Sequence, residues 1–212
     1  MLTLTRRLGE RIVIGAEVEI EVVQISGGRV RLGIRAPRSL PVYRGELVDK
    51  VGAQNLTARA EPRSAEPIEL PADLPVLSFP EGLFGMPTLT RWVLYELADE
   101  IEGAPAEQDA QVRVLVSVDD GSIRLLVLDL CAYAPGYPAN VACAAAGTSP
   151  ADVAVAGVVT APADGAMPTV NMAAPLVVDL NTRVGRQVIL ADDALNIAHP
   201  LAERIGFEEA AW

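Results

Sequence analysis

Arginines near both ends of the first 44 residues are the side chains whose chemistry is easiest to interpret. Arg6 and Arg7 directly follow an apolar segment that contains Leu4, and Arg44 precedes a second apolar segment. In an extended strand Leu4 and Arg6 lie on one face and Arg7 on the other, so one guanidinium of the pair can serve a ligand. Guanidinium groups suit phosphates and planar bases, whereas the alternative for Arg6 and Arg44 is a solvated charged face.

The charge of the 212-residue chain is distributed unevenly. Residues 1–58 hold nine Lys+Arg against six Asp+Glu, a net charge of +3, while residues 59–212 hold eight against twenty-two, a net charge of −14. A basic head joined to an acidic body predicts two domains and a polyanion partner for the head. The acidic body can also compete electrostatically with the ligand of the head.

Residues with catalytic or metal-binding potential are few. His199 is the only histidine, and the two cysteines, Cys131 and Cys143, fit no metal or redox spacing and are interpreted as buried small hydrophobic residues. Asp119 and Asp120 form the pair most open to an acid–base interpretation, but a hairpin turn explains both. The sequence therefore predicts no enzyme activity, no metal and no cofactor, and a buried or capping role for His199.

Charged residues interrupt the N-terminal apolar segment before it reaches the length of a signal peptide. The longest uncharged stretch, residues 130–151, contains three prolines and is rich in Ala and Gly, which is atypical of a membrane span. We therefore expect a cytoplasmic protein.

Residues 17–36 predict a β-hairpin, because two alternating segments flank Ser26-Gly27-Gly28. A three-residue loop keeps the apolar and charged faces separate, and it is preferred to a two-residue Gly27-Gly28 loop for that reason. The preferred register pairs Val18 with Ala36, Ile20 with Ile34, Val22 with Leu32, Glu19 with Arg35 and Val23 with Arg31.

The rest of the head is short. Residues 2–6 and 11–15 predict two further strands, residues 40–43 predict a last one, and a brief helix starts at Arg44 and ends at Gly52. Five short strands and one helical turn form a thin core, so a dimer that shares strands is expected.

Three segments of the head, MLTLTRRLGERIVIG, GGRVRLGIRAP and VYRGEL, resemble the carbon storage regulator (CsrA/RsmA) family along essentially its full length. The resemblance implies an intertwined homodimer that binds a GGA-containing hairpin loop in mRNA near a ribosome-binding site. It also implies a composite RNA site, and Tyr43 beside it is able to stack on a base. The implied RNA-binding residues are Leu4 and Arg6 of one subunit, Leu40, Val42 and Arg44 of the other, and Arg7 and Arg38 as neighbouring basic contacts.

The body predicts a mostly β domain. Strands are expected at residues 76–79, 111–118, 122–129, 153–159, 174–178 and 187–190, residues 88–96 fit a helix or a buried strand, and residues 130–151 are interpreted as an Ala-rich loop. The segments VLSFPEGLFGMPTLTRWVLYEL, SVDDGSIRLLVLD, NMAAPLVVDLNTRVGRQVIL and NIAHPL resemble the flagellar assembly factor (FliW) family over residues 66–201. This resemblance implies an antiparallel β-barrel-like domain that binds the carbon storage regulator as an antagonist and flagellin as a competing partner.

These features predict a mainly β chain with a head at residues 1–55, a Pro-rich linker at 56–75 and a FliW-like domain at 76–212. The predicted function is an mRNA-binding translational regulator fused to its own antagonist, which controls flagellar expression by autoinhibition. Docking is possible within one chain or between chains, and the residues near Asn55 are its expected location on the head. The alternative is a flagellar assembly chaperone or scaffold that has lost RNA binding and uses the head only to dimerise.

Overall fold

The computed structural model describes the protein at residues 1–37, 40–59, 74–96, 112–161, 166–190, 192 and 194–201. The chain divides into two compact units, Met1–Val42 and Tyr43–Trp212, each with its own β-sheet. The predicted mainly β class, with a small head and a β-barrel domain, is confirmed. Within the described part of the chain, no helix combines the length and the apolar composition needed to span a membrane.

The first unit is an antiparallel meander of three strands. They are β1 (Arg11–Ile14), β2 (Val18–Ser26) and β3 (Arg29–Arg35), in the order β1-β2-β3. Only Val22 among their apolar side chains is buried, while Val13, Leu32 and Ile34 are about half exposed. A sheet with so little buried surface agrees with the expected thin core.

The β2–β3 register is partly as predicted. Ile20 pairs with Ile34, Val22 with Leu32 and Glu19 with Arg35. The predicted three-residue loop is wrong, because Ser26 pairs with Arg29 and the loop is Gly27-Gly28, with φ of 52° and 78°. Positive φ at both residues is the type I′ geometry that matches strand twist. A β-bulge between Val22 and Gln24 absorbs the extra residue, so Arg31 faces Gln24 and not Val23.

The predicted first and last strands of the head are not strands within this chain. Residues 1–7 and 40–43 have no β-ladder partner in the described structure, so the head contains three of the five predicted strands. A strand requires a neighbour to satisfy its backbone groups. The dimer implied by the family resemblance would supply such neighbours, and this pairing stays a prediction.

The second unit begins with α1 (Gly45–Thr57), which is longer than predicted. Arg44, the predicted first residue of the helix, is its N-cap, and the helix continues past Gly52 to the Ala58 cap, whose N–H donates to the Gln54 carbonyl over 2.7 Å. The prediction that Gly52 ends the helix is therefore wrong. The helix packs against the sheet of the same unit through Val51 and Asn55, and this tertiary packing outweighs the low helix propensity of glycine.

Seven strands of the described second unit form a closed barrel. They are β4 (Val76–Ser78), β5 (Arg91–Glu96), β6 (Val112–Ser117), β7 (Arg124–Asp129), β8 (Val153–Thr160), β10 (Leu176–Asp179) and β11 (Val184–Gln187), while β9 (Thr169–Val170) lies beside β8 and β12 (His199–Pro200) beside β9. The order in the barrel is β10-β11-β4-β5-β6-β7-β8, and β8 closes on β10. All pairings are antiparallel except β11 with β4, which is parallel.

The Ala-rich segment after β7 contains two short helices, so its interpretation as a loop is wrong. These are α2 (Leu130–Tyr133) and α3 (Ala139–Ala146). The Asp129 carboxylate accepts hydrogen bonds from the backbone N–H groups of Cys131 and Ala132, which caps α2. The Gly147 residue ends α3 with φ of 75°. Of the two cysteines, Cys143 is buried as expected and Cys131 is exposed.

The turn between β6 and β7 anchors the barrel wall. Asp119 accepts hydrogen bonds from the backbone N–H groups of Thr90 and Arg91 over 2.7 and 2.9 Å, and from Arg91 Nε over 2.8 Å. These bonds lower the pKa of Asp119 from 3.8 to about 2. Asp120 accepts from the Ser122 hydroxyl and N–H. Both aspartates thus have structural roles, as the turn interpretation predicts.

Candidate nucleic-acid interface and helix docking site

The segment before β1 carries the first three candidate RNA contacts, Leu4, Arg6 and Arg7, all exposed. The Arg6 guanidinium donates to the carbonyls of Thr5 and Arg11 over 2.9 and 3.2 Å. The backbone N–H of Arg7 donates to a Glu10 carboxylate oxygen over 2.7 Å, within the turn that joins this segment to β1. The segment is thereby fixed at its C-terminal end, with its apolar and basic side chains accessible to a ligand.

The second group of candidate contacts lies just before α1. Leu40 and Val42 are half exposed, and Arg44 is exposed at the N-cap of the helix. The structure places Leu40 and Val42 in the first unit and Arg44 in the second. Arg38 lies outside the described residues. Because a composite site requires a second copy of the chain, the RNA site stays a prediction.

Part of the basic charge of the head is already paired. Glu19 in β2 bridges Arg11 and Arg35 at 3.2 and 3.0 Å. These exposed ion pairs contribute little to stability but hold two guanidinium groups at fixed positions on one face of the sheet. The pairing of Glu19 with Arg35 follows the predicted register.

The most specific contact in the second unit joins α1 to the barrel through Asn55, which is completely buried. Asn55 Nδ2 donates to Gln187 Oε1 over 2.8 Å and to the Phe84 carbonyl over 2.9 Å. Gln187 Oε1 also accepts from the Phe84 N–H, and Gln187 Nε2 donates to the Ala174 carbonyl, each over 3.1 Å. The donors and acceptors of two buried amides are thus matched, and such networks favour one geometry strongly.

An apolar cluster surrounds this network. Val51 is fully buried against Ala174 and Ile189 of the barrel. Tyr43, directly before Arg44, places its ring 5.8 Å from that of Phe84 at 81°, an edge-to-face contact. Burial raises the pKa of Tyr43 above its usual value, against a smaller opposing effect of a hydrogen bond with the backbone of Ile189. In this arrangement Tyr43 is engaged with the barrel, although the sequence suggested that it could stack on a base.

An open cleft of about 800 Å³ lies along α1. Arg44, Lys50 and Gln54 line it from the helix, and Asp192 and Ile197 line it from the barrel side. Gln54 Nε2 donates to the Ile197 carbonyl across this cleft. Arg44, a candidate RNA contact, is therefore part of the surface that α1 shares with the barrel.

The sequence pointed to the docking region near Asn55 but not to its partners. Gln187 is the barrel residue that sequence reasoning missed, together with the turn of Phe84 and Gly85. A glutamine directly before the apolar run Val188-Ile189-Leu190 was the available signal, because a buried amide needs partners.

The last candidates are the residues with catalytic or metal-binding potential. His199 is partly buried in β12 and makes an edge-to-face contact with Tyr133, with ring centroids 6.1 Å apart. Among the described residues, no three His, Cys, Asp or Glu side chains are grouped so that they could hold a metal ion.

Comparisons with known proteins assign the two parts of the chain separately. The family model of the Global regulator protein family, CsrA, matches residues 1–53, and that of the FliW protein matches residues 63–201. The translational regulator CsrA of Desulfitobacterium hafniense is 50% identical over 58 residues, 27% of this chain and 75% of the relative. CsrA of Geobacter metallireducens is 48% identical over 60 residues, 28% of this chain and 77% of the relative.

The fold of the body is found in a solved structure. The crystal structure of the flagellar assembly factor FliW superposes with a TM-score of 0.50 and 22% sequence identity, covering 68% of this chain and 93% of that one. At this identity the similarity shows the fold, which the family match supports independently. The chain belongs to the CsrA family through its N-terminal part and to the FliW family through the remainder, and is a fusion of the two.

Proposed function

We propose that this chain is a cytoplasmic, mRNA-binding translational regulator that carries its own antagonist and controls flagellar gene expression through autoinhibition. It acts as a homodimer, without cofactor or enzymatic activity. The target is an mRNA hairpin loop that contains GGA. The RNA contacts are Leu4, Arg6, Arg7, Arg38, Leu40, Val42 and Arg44, with the N-terminal and C-terminal groups of each site supplied by different subunits.

The observation that carries autoinhibition is the docking of α1 on the FliW-like barrel through Asn55 and Gln187. The CsrA family match extends to residue 53, so most of α1 belongs to the regulator part of the chain. The N-cap of this helix is Arg44 itself, and Tyr43 is held by Phe84. Docking therefore fixes the backbone of one RNA contact beside an acidic domain that repels phosphates.

The tether makes this inhibition effective. A tether of ~20 residues, the length of the predicted linker, gives the attached domain an effective concentration on the order of mM. An interaction of µM affinity would then be closed in about 99.9% of molecules, since the ratio of the two concentrations is ~1,000. RNA binds the open fraction only, so its apparent affinity falls by the same factor.

Dimerisation accounts for the exposed apolar surface of the head. Leu32 and Ile34 of β3 and Leu40 and Val42 beyond it are about half exposed in the single chain. A second copy that pairs with residues 1–7 and 40–43 would cover these side chains and supply the missing strands. Light scattering after size exclusion should give about twice the chain mass of 22.4 kDa.

Flagellin is the proposed release partner. A ligand opens the closed form only if it binds the barrel better when α1 is undocked. Shifting a closed fraction of about 99.9% to an even mixture requires a preference of ~1,000-fold for the open form. Flagellin that competes with α1 for the barrel would meet this requirement.

The test is RNA binding by the full chain at one fixed salt concentration, with a GGA hairpin and a matched hairpin whose loop lacks GGA. Flagellin should strengthen binding of the GGA hairpin and leave the matched RNA unaffected. A protease site inserted within residues 60–73 provides a second way to release α1 from the barrel. After cleavage the two parts are separate molecules, and at nM concentration a pair of µM affinity dissociates. If neither flagellin nor cleavage produces an RNA complex while the dimer stays intact, the chaperone or scaffold function is correct.

A further inference from the structure

Two glycines meet where α1 crosses the barrel surface. Gly52 is buried in the helix, and Gly85 lies in a turn closed by hydrogen bonds in both directions between Leu83 and Met86, 2.8 and 3.2 Å. A Cβ atom on Gly52 would lie 3.1 Å from the nitrogen and 3.3 Å from the Cα of Gly85. The two backbones therefore touch at a distance that leaves very little room for a side chain.

Helix geometry does not explain the glycine at position 52. Its φ is not positive, and an interior glycine destabilises a helix by about 1 kcal/mol relative to alanine. The residue does not end the helix either, since five further residues of α1 follow it. The structural advantage of Gly52 is the close approach to the barrel that the missing side chain permits.

The opposing turn has little freedom to move away. Gly85 has φ of 81°, and a Cβ there would lie 2.6 Å from the Gly52 carbonyl oxygen. The preceding residue, Phe84, donates its N–H to Gln187 and accepts from Asn55. A shift of the turn that made space for a side chain at position 52 would stretch these hydrogen bonds, so the contact and the amide network depend on each other.

We propose that the contact of Gly52 with Gly85 makes the barrel surface selective for a helix that carries glycine at this position. The barrel accepts α1 of this chain, or the same helix of a second copy, and rejects a helix with a side chain there. The FliW-like domain would therefore be insulated from other regulators of the same fold whose helix carries a larger residue. This inference deepens the proposed function, and only its RNA-binding consequence rests on autoinhibition.

The experiment measures backbone amide hydrogen exchange in the full-length chain, with the variants Gly52→Gln and Gly52→Ala. The amides of α1 report docking, and those of β6 and β7 report whether the barrel is folded. Ala53 is exposed, so Ala53→Gln adds the same side chain one residue away without meeting the barrel. We expect exchange in α1 at least about tenfold faster for Gly52→Gln, a smaller increase for Gly52→Ala, and none for Ala53→Gln.

The alanine variant gives the sharper result because its two effects have opposite signs. Alanine raises helix propensity, so faster exchange in α1 would show loss of docking and not loss of helicity. If Gly52→Gln also speeds exchange of the β6 and β7 amides, the barrel itself is disturbed in that variant. The test then rests on Gly52→Ala, in which faster exchange of α1 with protected β6 and β7 amides again shows loss of docking. Unchanged protection of α1 in a variant with an intact barrel would overturn the inference. Released α1 with unchanged RNA affinity would support the selectivity of the contact and refute autoinhibition. Failure of the selectivity proposal and failure of the autoinhibition proposal are therefore distinguishable.

Discussion

Replacing Asn55 with aspartate tests the docking network most directly, because the side chain keeps its size while a charged acceptor replaces its N–H donors. Asn55 Nδ2 faces two acceptors, Gln187 Oε1 and the Phe84 carbonyl. A carboxylate oxygen at that position would face the same two acceptors. Rotation of the Gln187 amide offers no rescue, since it would place its NH₂ group against the Phe84 N–H and its oxygen against the Ala174 carbonyl.

The size of the effect follows from these contacts. The Phe84 carbonyl is left without the Asn55 donor, which costs about 1–3 kcal/mol, and burying a carboxylate that also faces Gln187 Oε1 adds to this. A loss of about 4 kcal/mol reduces the docking constant ~1,000-fold. Because the estimated ratio of closed to open molecules is also ~1,000, Asn55→Asp should bring the two forms near equality. The apparent affinity for a GGA hairpin should then rise on the order of 500-fold.

Fluorescence anisotropy of labelled RNA with the full chain at one salt concentration measures this change. Ala53→Asp is the matched control, since it adds the same charge to an exposed position of α1 and should leave docking intact. Amide exchange in α1 shows independently whether the helix is released. If Asn55→Asp frees α1 without tightening RNA binding beyond the control, docking does not inhibit. If α1 remains protected, the energetic account of the amide network is wrong.

Three further changes test other parts of the structure. Asp119→Asn should lower the melting temperature at pH 7, because the pKa of the Asp119 carboxyl falls from 3.8 to about 2 on folding and the carboxylate therefore stabilises the folded state above this range. The difference in melting temperature from wild type should shrink between about pH 4 and pH 2, as the carboxylate is protonated. A difference that stays constant over this range would contradict the assignment. In the Asn55→Asp background, Arg6→Ala should weaken RNA binding and reduce the slope of log K against log salt by about 0.7, which salt titration measures. Gly28→Val should destabilise the head by about 1–2 kcal/mol in a denaturant titration, since φ at Gly28 is 78°; unchanged stability would contradict the type I′ turn.

The strand pattern was predictable wherever local signals agreed. Alternation of apolar and polar residues in β2 and β3 gave the pairing of Ile20 with Ile34, and Asp119-Asp120-Gly121 gave the hairpin of the barrel. The bulge after Val22 was not predictable, because a two-residue loop with a bulge and a three-residue loop give the same pairing farther along the strands. Residues 88–96 fit both a helix and a buried strand from the sequence alone. Pairing with β6 makes residues 91–96 a strand, β5, in the folded protein.

The two helices after β7 were missed for a different reason. Prolines and small residues in this segment indicate a loop, yet Asp129 provides an N-cap and Gly147 a left-handed C-terminal residue. Local capping signals outweighed composition here. The composite RNA site could be placed only through family resemblance, since no periodicity indicates which residues a second chain would contribute.

The docking surface shows why local rules fail at Gly52 and Gln187. Glycine in a helix and a buried amide at the end of a strand are each unfavourable alone, and each is accommodated by the other element, through Gly85 and through Asn55. Their cost is removed only while α1 is docked. The undocked state therefore loses the hydrogen bond between Asn55 and Gln187 and leaves a weakened helix, which raises the free energy of opening. By thermodynamic linkage, any ligand whose binding is blocked by docking must in turn weaken docking by the same factor. If RNA and flagellin both require undocked α1, each should bind more tightly in the presence of the other.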